Sequence, residues 1–109
     1  MRFTLMQKVL ETAARVYEDM TDQMTNPEIG REFWKYLKSR LLGGESRKIK
    51  VSDWVYDYVL RMDAADFERR YGPGLVNIKK SKDQMLFMVM SVTTMLQFSP
   101  AAESILEWS

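Results

Sequence analysis

Residues 81–98 read SKDQMLFMVMSVTTMLQF, and the way this stretch folds decides the class of the whole chain. Ser81 and Gln84 stand at capping-box spacing, where a hydroxyl and an amide can each satisfy a backbone N–H left free at a helix start. Beyond them Met85, Leu86, Phe87, Met88, Val89, Met90, Val92, Met95 and Leu96 leave almost no polar face. That pattern predicts a helix over about 82–98 buried at the centre of a bundle. The run is far shorter than the ~20 apolar residues a membrane span requires, and Pro100 closes it, so no membrane segment is expected.

A central apolar helix needs amphipathic helices to cover it, and the N-terminal half supplies two. Thr4 and Gln7 repeat the capping-box spacing ahead of a helix from about Leu5 to Met24. Met6, Leu10, Ala13, Tyr17, Met20 and Met24 follow at alternating steps that keep them on one seam, and Val9 and Val16 widen it. So broad a stripe suits both an internal core and a second subunit. Met6, Leu10, Val16, Tyr17, Met20 and Met24 are therefore the candidate partner or dimer interface. Asn26 and Pro27 then mark a second helix start, since Asn accepts from free N–H groups and Pro presets the backbone angle. Ile29, Phe33, Tyr36, Leu37 and Leu41 fall on one face, and Gly43 with Gly44 ends the helix. The two form an antiparallel helical hairpin.

The remaining elements are shorter. A polar loop over residues 45–51 contains a brief alternation too short to read as a strand. A third helix is expected after Ser52, turning Trp54, Val55, Tyr58, Val59 and Met62 inward, with Asp53 at the positive end of its dipole. Asp63 caps a fourth over Ala64–Tyr71 that buries Phe67 and Tyr71 and stops at Gly72 and Pro73. Leu75 to Lys80 carries no assignable pattern. Ser99 and Pro100 open a last helix with Ile105, Leu106 and Trp108. With no repeat or linker in view, the chain reads as all-α: residues 1–109 as one domain, an irregular bundle of five to six helices with an N-terminal hairpin and a central apolar helix.

Composition narrows the chemistry. Of the 109 residues, 46% are hydrophobic and 28% charged, which is the balance of a folded protein and not of a disordered one. There is no histidine and no cysteine, which removes Ser–His and Cys–His nucleophile pairs, Cys/His zinc sites and disulfides. No Gly-x-Ser-x-Gly turn or Walker-type phosphate loop is present. Asp53 and Asp57, one turn apart, have the spacing to share a cation, but a solvated helix face is the commoner meaning of such a pair, and no second carboxylate pair completes an oxygen shell. No enzyme activity, cofactor or metal is expected. Lack of cysteine and of a signal-peptide pattern points to the cytoplasm.

What remains is contact. The formal net charge of +1 gives no global field, yet the charge is blocked: Lys38, Arg40, Arg47, Lys48 and Lys50 precede an acidic stretch with Asp53, Asp57, Asp63, Asp66 and Glu68. The leading expectation is a non-enzymatic protein-interaction module, a small regulatory protein that binds and modulates a partner protein, as a homodimer through the first helix. Nine methionines favour it, because their flexible, polarisable side chains repack against varied surfaces. The alternative is nucleic-acid binding through the five basic residues just named, helped by Lys79, Lys80 and Lys82. The same residues suit an acidic protein surface. A third reading, a small-molecule pocket, draws on Trp34, Trp54, Tyr56, Tyr58, Phe67 and Tyr71.

Overall fold

The computed structural model describes residues 2–41, 49–72, 81–100 and 103, with the backbone alone for 2–5 and 41. The chain is all-helical over these residues: α1 (Arg2–Met24), α2 (Pro27–Leu41), α3 (Val51–Arg61), α4 (Ala64–Tyr71) and α5 (Lys82–Gln97), with no strand among them. Pro100 and Glu103 are helical too, while Ile105, Leu106 and Trp108 of the expected last helix lie outside the described residues, as does Leu75–Lys80.

The local signals act where their chemistry requires. Asn26 Oδ1 accepts from the Glu28 N–H at 3.1 Å as α2 opens. Asp63 Oδ1 accepts from the Asp66 N–H at 2.7 Å, and Ser81 Oγ from the Gln84 N–H at 3.4 Å. Gly72 ends α4 at φ +114°, a backbone angle other residues avoid, and donates its N–H to the Glu68 carbonyl at 2.8 Å. Two boundaries differ from the expectation. α1 begins at Arg2, so Thr4 lies inside it and is no cap. α3 begins at Val51, with Lys50 as the extended cap residue and the Asp53 carboxylate reaching back to accept the Lys50 N–H at 2.8 Å. Ser99 Oγ donates back to the Leu96 carbonyl at 2.9 Å and stands directly ahead of the helical Pro100, while residues 101 and 102, which a Ser99 cap would serve, lie outside the described residues.

α5 packs against both α1 and α3, α1 also meets α2 and α4, and the core lies between them. Val9, Ala13, Val16, Met20 and Met24 of α1 meet Met85, Met88, Val89, Val92 and Leu96 of α5, with Trp54, Val55, Val59 and Phe67 filling the space. Each such side chain removed from water adds about 1.5–3 kcal/mol. Thr12, also buried, satisfies its hydroxyl by donating to the Lys8 carbonyl at 2.8 Å.

α2 is held to α3 by long side chains. Phe33 meets Trp54 with ring centroids 4.9 Å apart, Trp34 stacks on Trp54 at 5.9 Å, and the Arg61 guanidinium covers Phe33 and Tyr36 at 5.1 and 4.6 Å. Only Phe33 and Leu37 of the expected inward face of α2 are buried among its described side chains; Ile29 and Tyr36 stay exposed at its edge.

One larger expectation is corrected. α5 is apolar nearly all round but is not enclosed: Leu86 is 41% and Met90 67% exposed, because the neighbours it packs on cover only one side of it.

Candidate functional site

The apolar seam of α1 divides. Val16, Met20 and Met24, expected at an interface with another chain, are buried inside this one, with 0, 0 and 1% exposure. They sit on the line facing α5, where the chain's own core consumes them. Met6 and Leu10, one turn apart, stay about half exposed at 49 and 47%, and Tyr17 is half-buried on the same flank. Leu86 and Met90 repeat this geometry on α5: two large apolar side chains four residues apart on a helix surface, open to solvent. Phe98, just past α5, is exposed as well. Met6, Leu10, Leu86 and Met90 thus present flexible and branched apolar groups on the two helices that carry most of the core. A surface of this kind fits another polypeptide better than water.

The basic group comes together less completely. Lys38 and Lys50 are exposed, and Arg47 and Lys48 lie outside the described residues. Arg40 is engaged: its Nη1 donates to Asp57 Oδ1 at 2.7 Å and to the Tyr36 hydroxyl at 2.6 Å, and its guanidinium lies 5.8 Å from the Tyr36 ring centre. The Tyr36 bond, with Asp57 beside it, pushes the Arg40 pKa above its ordinary value. A guanidinium already paired has less to offer a phosphate.

Asp57 is the surprise of the site. The sequence favoured a solvated face for it; the structure buries its side chain to 3% exposure, and Oδ2 has no hydrogen-bond partner. Loss of water raises the carboxyl above its usual range, against the pull of Arg40 and Arg61. Asp53 does not share a site with it but caps α3, and no cluster of three or more acidic residues able to hold a metal occurs among the described residues.

A second polar network joins α1, α3 and α4. The Tyr71 hydroxyl donates to Asp19 Oδ2 at 2.8 Å and lies 3.5 Å from the Tyr58 hydroxyl. Tyr58 accepts from Gln23 Nε2 at 3.1 Å and Arg70 Nη1 at 3.3 Å. Arg15 donates to the carbonyls of Tyr71 and Arg70 at 3.1 and 3.2 Å, closing the end of α4. Burial first, then the bonds to Tyr58 and Asp19, push the Tyr71 hydroxyl far above its ordinary range, so it stays a donor at every physiological pH. With every hydroxyl engaged, this network is built to hold helices together.

The aromatic rings mostly build the fold: Trp54 and Phe67 are fully buried, Trp34 stacks on Trp54, and Tyr56 alone of the six stands exposed. The open groove of ≈ 450 Å³ between α1, α2 and α3 is lined in part by Glu28, Ile29, Glu32, Tyr36 and Arg61, and Trp34 and Trp54 are not at its wall. No helix among the described residues is long and apolar enough to cross a membrane. No family model, curated protein or solved structure matches the chain.

The residues the sequence reading missed are Leu86, Met90 and Asp57. All three lie on helices whose existence was evident. Their exposure depends on which side of α5 and α3 the neighbours cover, and no periodicity within one helix records that.

Proposed function

We propose that this chain is a non-enzymatic protein-interaction module, a small cytoplasmic regulatory protein that binds and modulates a partner protein and is itself a homodimer. The docking surface in this reading is Met6 and Leu10 on α1, with Leu86 and Met90 on α5 as its second part. The observation that carries it is the 67% exposure of Met90, with Leu86 exposed one turn before it, on a helix that is apolar nearly all round. A helix enclosed by its own chain would have buried these groups, and a helix meant for solvent would have carried polar ones there.

Self-association is the simplest arrangement because a two-fold pair brings the same patch from both copies, so one patch of i, i+4 apolar residues needs no second evolved surface. Val16, Met20 and Met24 support the docking strip from beneath as core. The five basic residues give less support to a nucleic-acid role, since Arg40 is spent on Asp57 and Tyr36. The test is the solution mass of the parent beside Met6→Asp/Leu10→Asp and Leu86→Asp/Met90→Asp. The reading expects a dimeric parent and a monomer in at least one folded double variant. A monomeric parent, or a dimer that survives both pairs of changes, overturns it.

A further inference from the structure

We propose that Asp57 and Arg40 form a protonation latch between α3 and α2: the charged carboxylate holds the end of α2 through Arg40, and the neutral acid releases it.

Three features of the geometry carry this. Lys35–Glu32 and Arg69–Asp66 each stay within one helix, whereas Arg40–Asp57 joins two. The two ends of the pair stand in opposite surroundings: the Asp57 side chain is 3% exposed and that of Arg40 46%, so Arg40 can leave for water while Asp57 cannot. Finally, Oδ2 is buried and unpartnered. A proton added there meets no competing donor, and it removes the negative half of the ion pair: Arg40 keeps its charge but then faces a neutral acid at Oδ1 in place of a carboxylate, which weakens its hold.

The surroundings favour the change. From α2 the groups that face the carboxylate are Arg40 and, through it, the Tyr36 hydroxyl; α3 itself contributes Arg61 one turn on and Asp53 one turn before, the latter bound to the Lys50 N–H. The faces that α1 and α5 turn into the core are apolar except for Thr12, and Asp19 of α1 is committed to Tyr71. Burial therefore dominates and raises the carboxyl above its usual value, against the pull of Arg40 and Arg61. Once released, Arg40 sits with Lys38 in the last turn of α2, where a cation is favoured by the helix's own carbonyls. It then adds a free charge to that exposed basic end.

The experiment follows the Asp57 carboxyl carbon by NMR from about pH 7 downward, with amide protection factors along α2 in the full chain. The latch predicts an Asp57 midpoint above that of free aspartate and a roughly tenfold loss of protection in the last turn of α2 through that same midpoint, with the middle of α1 unaffected. Asp57→Asn, which copies the neutral acid, should show the reduced protection already at neutral pH and little pH dependence. Should that variant not fold, Arg40→Gln decides. It should give the same loss of α2 protection, flat with pH, while the Asp57 midpoint moves further up. Protection in α2 that does not change through the Asp57 midpoint, or an Arg40→Gln chain as well protected as the parent, overturns the latch and leaves a purely structural ion pair.

Discussion

Asp57 occupies a position where a carboxylate is held against its own solvation, and the effect on stability follows from the direction of its shift. Its folded-state pKa is raised by burial above the unfolded value, so the folded state binds the proton more tightly. The penalty for burying the charge is present above the folded pKa and is relieved as pH falls through it toward the unfolded value. Arg40→Gln strands that charge, and Asp57→Asn removes it while leaving Arg40 in water. The thermal midpoint at neutral pH should therefore fall more for Arg40→Gln than for Asp57→Asn, and the gap should close on acidification. Equal midpoints at neutral pH would show that the ion pair does not offset the burial. Tyr71 behaves differently, because its hydroxyl is a permanent donor to Asp19. Tyr71→Phe should cost about 1 kcal/mol in denaturant unfolding, with no pH dependence between about 6 and 8. Neither role was legible in the sequence. An Asp in the middle of a helix and a Tyr at the end of one carry no mark of which neighbour will cover them.

Among the elements, the helices themselves were legible because their ends carry specific chemistry. Asn26, Asp63 and Ser81 cap where their spacing requires, and Gly72 ends α4 through a backbone angle that a Cβ disfavours. Thr4 misled because the helix continues ahead of it, and a capping-box match says nothing about residues that precede it. The apolar stripe of α1 and the nearly all-round apolar surface of α5 were legible, but the division of each into core and surface was set by packing, so α5 is less enclosed than its sequence suggested. Two substitutions separate the halves. Met20→Ala, in the fully buried line, should destabilise by about 2–5 kcal/mol. Met90→Lys, on the open side of α5, should leave the stability of the single chain within about 0.5 kcal/mol when measured at concentrations too low for self-association. Chemical denaturation of both variants at such dilution checks this, and a large loss from Met90→Lys there would mean that its own chain covers that face.

For the molecule as a whole, α5 is both the element that organises the core and one that leaves apolar groups in solvent. Its inner line binds α1 and α3, while Leu86 and Met90 remain open, as do Met6 and Leu10 on the helix it packs on. The sequence pointed to contact as the mode of action through what it lacks, histidine and cysteine above all, and through its methionines. It placed the contact too deep, on Val16, Met20 and Met24, because the seam of one helix cannot show how many partners it will meet within its own chain. The most direct test of the proposed role is the solution mass by light scattering, over a range of concentrations, of the parent and of the Met6→Asp/Leu10→Asp and Leu86→Asp/Met90→Asp variants. A parent with the mass of two chains, and one chain in at least one variant that keeps the parent's helical signal, is the predicted result. A parent that remains one chain throughout, or a dimer untouched by either pair of changes, would contradict it.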